Sequence, residues 1–175
     1  MDGLLFDSER IVQRSWEIAG DELGIPHMGD VIYHTLGMNR AGRNEYFRKY
    51  IREDFPFEEF GKLTRDNFWK IVDKEGLPLK KGAKELLQAM INLKRTQGYK
   101  MAVATSSSRE YAMGNLIRAG IDSYFDSVVC GDMVKKAKPD PEIYQKACES
   151  LGIQPEYCMA FEDAPGGILS AHQAG

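Results

Sequence analysis

Apolar positions fall into two regimes along the chain. After Ser8, a residue suited to capping a helix, Ile11 or Val12, Trp16, Ala19 and Leu23 recur at helical spacing until Gly24 stops the run. From there to about residue 78 the chain stays charged and helix-like. It carries aromatics at Tyr46, Phe47, Tyr50, Phe55, Phe57, Phe60, Phe68 and Trp69 and little β-branched alternation, which predicts a small helical lobe. Beyond Gly82 the pattern switches to alternating helix and strand, the signature of a parallel sheet with covering helices. A helix from about Ala83 to Gly98 feeds the apolar run 101–104. A second, capped by Ser108 and ended by Gly120, feeds a strand around 125–130. Asp140-Pro141 opens a third that stops at Gly152, and a last strand is predicted over 157–161, before Glu162-Asp163 and a Pro-Gly-Gly turn. Residues 1–6 read as the tail of a strand entering a loop.

In an open parallel α/β sheet, ligands bind where the carboxyl ends of the strands border a crevice. The polar residues just past the apolar runs are Asp2, Thr105-Ser106-Ser107 and Glu162-Asp163, with Lys138 in the connection after the third run. Taken singly these are ordinary: Thr-Ser-Ser is a turn and a cap, Lys before Pro-Asp-Pro a solvated loop residue, Glu-Asp another cap. Taken together they offer a hydroxyl, backbone amides, an ammonium and carboxylates at one end of a sheet. Thr105 and the amides after it can bind phosphoryl oxygens, Lys138 can neutralise their charge, and the carboxylates can hold Mg2+, a hard cation that prefers oxygen.

Charge narrows the partners. Lys+Arg 23 against Asp+Glu 26, with no long single-sign run, argues against nucleic acid as a main partner. The three cysteines (Cys130, Cys148, Cys158) form no CxxC pair and read as reduced core thiols of a cytoplasmic protein. No apolar run approaches the roughly 18 residues of a membrane span, so no membrane partner is expected, and the chain reads as a monomer. His27, His34 and His172 lack metal-ligand spacing.

Four segments resemble, in order, the four motifs of the haloacid dehalogenase-like hydrolases, and the likeness covers essentially the whole chain. They are Met1-Asp2-Gly3-Leu4-Leu5-Phe6-Asp7-Ser8-Glu9, Ala104-Thr105-Ser106-Ser107, Lys138-Pro139-Asp140-Pro141, and Phe161-Glu162-Asp163-Ala164-Pro165-Gly166-Gly167-Ile168. Within that superfamily the chain is most similar to the β-phosphoglucomutase-like phosphatases, with a helical cap after the first motif. The resemblance implies an α/β, Rossmann-like parallel sheet core (residues 1–8 and 79–175) with an inserted helical cap (9–78). It implies Mg2+-dependent hydrolysis of small phosphate monoesters, sugar or polyol phosphates, through an aspartyl-phosphate. Asp2 would be general acid and base and bind Mg2+ through its backbone carbonyl. Asp163, helped by Glu162, would complete the metal site, and Thr105 and Lys138 would hold phosphoryl oxygens. Gly3, Ser106, Ser107 and Arg109 would meet substrate. Leu36-Gly37-Met38-Asn39-Arg40 resembles a cap loop whose arginine contacts substrate, which makes Arg40 a candidate for specificity.

The chain departs from that pattern at its start. The family's nucleophile, the first Asp of Asp-x-Asp, would fall immediately before Met1, together with a central strand, and relatives continue beyond Gly175. The chain is therefore expected to be a truncated form of a longer enzyme, inactive by itself. The competing expectation is a degenerate member that binds phosphorylated ligands without turnover. A β-phosphoglucomutase-type mutase is a further alternative, disfavoured because Val12 stands where true mutases have a histidine.

Overall fold

The computed structural model describes residues 1–35, 38 and 40–175, apart from the side chain of Arg40. They form two compact units, Ser8–Gly76 and the discontinuous pair Met1–Asp7 with Leu77–Gly175.

The Ser8–Gly76 unit is helical: α1 (Ser8–Glu22), α2 (Met28–Thr35), α3 (Arg40–Tyr50) and α4 (Phe57–Glu75). The helical spacing after Ser8 puts Ile11, Trp16 and Ala19 inside. Trp16 meets Phe47 and Phe60 edge to face, with centroids 5.5 and 5.7 Å apart, in a core completed by Ile25, Met28, Val31, Ile32 and Phe55. α1 and α2 approach closely at Gly20, where a Cβ would collide with the Ile25 carbonyl and the Met28 side chain. Glu17 on α1 accepts from the Gly29 amide (2.7 Å), so a carboxylate meets the positive first turn of α2.

In the second unit, α5 (Ala83–Gln97) leads into β1 (Ala102–Thr105). Next come α6 (Arg109–Arg118), β2 (Ser127–Cys130), α7 (Glu142–Leu151) and α8 (Pro165–Gln173). β1 and β2 pair in parallel with Ala102 opposite Ser127 and Thr105 opposite Cys130, the α6 crossover leaving both strands to end at the same level. Alternation along the strands sorts two faces. Val103 joins Phe6, Leu87, Leu116 and Ile121, while Val129 packs on Ile143 and Ala147 of α7.

Three expectations are corrected here. Residues 157–161 form no strand: Pro155–Tyr157 is a single 3-10 turn, and Tyr157, Met159 and Phe161 are exposed. A strand exists only through a neighbour that completes its ladder, and among the described residues β1 pairs with β2 alone. Residues 1–6 are a turn, in which the Met1 carbonyl accepts from the amides of Leu4, Leu5 and Phe6. Single bridges then join Asp2 to Phe6 and Phe6 to Leu79. Of the cysteines only Cys130 is buried, Cys148 being half-buried and Cys158 exposed. No helix among the described residues is long and apolar enough to cross a membrane.

The helical unit hangs on Trp16, which is 5% exposed. Trp16→Ala should cost about 3–5 kcal/mol in chemical denaturation, the range for truncating a buried tryptophan. A loss below about 1 kcal/mol would show that the aromatic core does not carry this unit.

Candidate active site

The strand ends place the second-motif loop. Thr105, the last residue of β1, is buried, and its Oγ1 accepts from the Ser107 amide (3.3 Å). The Gly131 amide, just past β2, donates to the Ser107 carbonyl (2.9 Å) and pins the loop from the other strand. Ser106 is exposed at its tip, and Ser108 caps α6 by accepting from the Tyr111 amide.

Asp2 lies across this loop. Its Oδ2 accepts from Ser107 Oγ (2.9 Å) and its Oδ1 from Tyr111 Oη (3.0 Å), so two O–H donors fix the carboxylate plane. Burial, and then the adjacent Asp2 charge, push the Tyr111 phenol well above its ordinary range, so it remains a donor. Gly3 takes a left-handed φ of 72°, which turns the chain so that its amide meets the Phe6 carbonyl (3.0 Å).

Lys138 forms a second cluster. Its Nζ donates to the Ala104 carbonyl (3.2 Å) and to Tyr144 Oη (3.3 Å), pairs with Glu162 Oε1, and lies 4.8 Å from the Tyr144 ring centre. Tyr144 Oη in turn donates to Glu162 Oε1 (2.6 Å). Burial opposes ionisation of Glu162, but the Lys138 and Tyr144 hydrogen bonds and the ammonium charge outweigh it and hold the carboxyl below its usual range. The same carboxylate lies against Gly167, where a Cβ would occupy its position, so a side chain there would displace it.

Lys138 is itself held by its flanks. Glu142, in the first turn of α7, accepts from the Lys135 and Lys136 amides (2.9–3.0 Å). These contacts, the Lys135 amide foremost, bring its carboxyl down to about 2. Ser170 of α8 donates to the Asp140 carbonyl (2.6 Å), tying the fourth-motif helix to the third-motif loop.

The two clusters share the end of β1: Ser107, two residues past Thr105, reaches Asp2, and Lys138 reaches the Ala104 carbonyl. Asp2, Thr105, Ser107, Lys138 and Glu162 are thus gathered at one end of the β1–β2 ladder, with Asp163 exposed beside them. Arg109 is not drawn to Asp2: its amide donates to Asp132, and its guanidinium turns to the Val128 carbonyl (3.5 Å) and the Met133 sulfur (3.9 Å). Leu36, Gly37, Asn39 and the Arg40 side chain lie outside the described residues, and with them the cap-loop expectation. Sequence reasoning missed Tyr111 and Tyr144. The available signal was an aromatic with a polar tip in the first turn of each helix that follows a strand-end loop.

A family model for haloacid dehalogenase-like hydrolases matches residues 1–175. The phosphorylated carbohydrates phosphatase of Thermotoga maritima is 31% identical over 175 residues, 100% of this chain and 79% of that protein. Hexitol phosphatase A of Escherichia coli is 29% identical over 175 residues, 100% of this chain and 77% of that protein. Among solved structures, a candidate β-phosphoglucomutase of Thermotoga maritima superposes with a TM-score of 0.80 at 28% identity, covering 99% of this chain and 78% of the other. The fold is thereby Rossmann-like α/β. With a family match that runs from the first residue to the last, the chain belongs to the haloacid dehalogenase-like hydrolases.

Proposed function

We propose that this chain carries the phosphate-binding, acid–base and metal-binding residues of a Mg2+-dependent phosphatase of small phosphate monoesters, with sugar or polyol phosphates as the substrate class. It would act through an aspartyl-phosphate, the nucleophile being the aspartate that the family pattern places before Met1. The observation that carries this reading is that the end of β1 gathers both clusters: Ser107, just past Thr105, reaches Asp2 and its second donor Tyr111, while Lys138, held by Glu162 and Tyr144, reaches the Ala104 carbonyl. The carbohydrate-phosphate and hexitol phosphatases among the relatives support the substrate class.

Each residue has a chemical task in this scheme. Lys138 and the Thr105–Ser107 loop bind phosphoryl oxygens and keep them in place for attack. Asp2 gives a proton from a carboxyl oxygen to the leaving oxygen and later takes one from water, while Ser107 and Tyr111 orient its two oxygens. Glu162 and Tyr144 aim the Lys138 ammonium. The helical unit Ser8–Gly76 acts as the cap that selects among esters.

The donor set fits Mg2+. Among the described residues no group of three or more acidic, histidine or cysteine side chains converges. Mg2+ typically takes one or two carboxylates together with other oxygen donors, phosphate and water rather than an all-protein cage, and the Asp163 carboxylate with the Asp2 backbone carbonyl would offer such a set. When bound, the ion would supply positive charge to the phosphoryl oxygens. A mutase is the second reading, favoured by the candidate β-phosphoglucomutase structure. Val12, where a mutase needs an acid-base side chain, is a hydrocarbon packed against the helical core.

Hydrolysis of an aryl phosphate with Mg2+ tests the proposal, using the chain as given and the chain preceded by an apolar strand that ends in Asp. The extended form should turn over and lose activity to a chelator. Lys138→Met should then lower kcat/KM by at least about 100-fold. An extended form that folds and binds Mg2+ yet hydrolyses no member of a sugar-phosphate panel sinks the phosphatase reading. Transfer to a sugar hydroxyl instead of water would point to the mutase.

The Lys138–Glu162 pair adds a pH signature. Because folding lowers the Glu162 pKa, the pair stabilises the fold fully above the ordinary carboxylate range. That contribution is lost as pH falls through the depressed value. Glu162→Gln should flatten the acid side of the Tm-against-pH curve, and an unchanged acid limb would contradict the assigned direction.

A further inference from the structure

Cys148 and Cys158 stand outside the phosphate-handling residues, and their Sγ atoms are 3.7 Å apart. Cys148 lies in the last turn of α7 and is half-buried, whereas Cys158 follows the 3-10 turn Pro155–Tyr157 and is exposed. A disulfide needs the sulfurs at about 2.05 Å, so closure calls for a shift of roughly 1.7 Å. Cys158 belongs to neither helix nor strand, and the shift breaks no ladder. Cys130, the remaining thiol, is fully buried at the end of β2.

We propose that Cys148 and Cys158 form a thiol modification site that takes a small-molecule disulfide as its reactant and closes to an intrachain cross-link. In the first step the Cys158 thiolate attacks one sulfur of the reactant, its S–S bond breaks, and one thiol leaves. Cys148 then attacks the Cys158 sulfur of the mixed disulfide and expels the second thiol. Two protein thiols are oxidised to one disulfide, and one small disulfide is reduced to two thiols. Exposure makes Cys158 the point of entry. Burial, with Cys158 alongside, pushes the Cys148 thiol up to about 11, which suits it to the second, intramolecular step, where proximity offsets a small thiolate fraction.

The cross-link reaches the site through short connections. Tyr144 lies one helical turn before Cys148 on α7, and Glu162 lies four residues after Cys158. A bond between the two cysteines would tether both sides of the Lys138–Tyr144–Glu162 cluster.

The test treats the folded chain with glutathione disulfide at mildly alkaline pH and maps the peptides by mass, so it needs no catalytic activity and stands or falls separately from the phosphatase reading. The expected product is a single cross-linked peptide joining residues 148 and 158, lighter by two hydrogen atoms and restored by dithiothreitol. Cys130→Ser should leave this product unchanged, Cys158→Ser should abolish it, and Cys148→Ser should stop at a glutathione adduct on Cys158. The proposal is overturned if that adduct persists in the unsubstituted chain, or if the recovered cross-link involves Cys130 or a second copy of the chain.

Discussion

The parallel register of β1 and β2 is the constraint on which the remainder of the core depends. Because Ala102 faces Ser127 and Thr105 faces Cys130, both strands end at one level, and the loops that follow them leave from that level. The loop after β1 carries Ser107 to Asp2, and the turn after β2 returns the Gly131 amide to hold it. A slip of one residue would turn Val103 and Val129 to the wrong faces and separate these partners. Four residues of ladder suffice because each face is covered, one by Phe6, Leu87 and Leu116, the other by Ile143 and Ala147.

On that platform the electrostatics concentrate at Lys138. Its side chain is only 13% exposed, and that of Glu162 12%. A charge so far removed from water needs a partner. Glu162, Tyr144 and the Ala104 carbonyl meet that requirement and, in doing so, aim the ammonium at the end of β1. Gly167 leaves room for the Glu162 carboxylate, and Glu142 and Ser170 brace the loop on either side of the lysine. Few of these contacts are local in sequence. A lysine in a loop became a site residue through partners contributed by β1, α7 and the segment before α8.

Much of this was legible in the chain itself. The helices announced themselves through period and punctuation: Ser8 opens α1, Ser108 caps α6, and Gly98 and Gly152 stand at the ends of α5 and α7. Asp2, Thr105, Lys138, Glu162 and Asp163 could be picked out because they follow apolar runs, and their order along the chain pointed to the family. The failures share a cause. Residues 157–161 have the composition of a strand but, among the described residues, no neighbour to pair with. The odd, scattered cysteines gave no hint that two of them would come within 3.7 Å.

The sequence by itself determined the limits of α1, α5, α6 and α7, the two-regime organisation and the chemical inventory past the apolar runs, because hydrophobic period and capping preferences act over a few residues. Only the tertiary structure decided which donors reach Asp2, that Tyr144 and Glu162 share Lys138, and that Cys148 faces Cys158. Those contacts join residues 10 to 109 positions apart, except for Tyr144 and Lys138, which are brought together across the loop that opens α7. No local preference specifies such distances. They follow from strand register and from the packing of helices on the two faces of one short ladder.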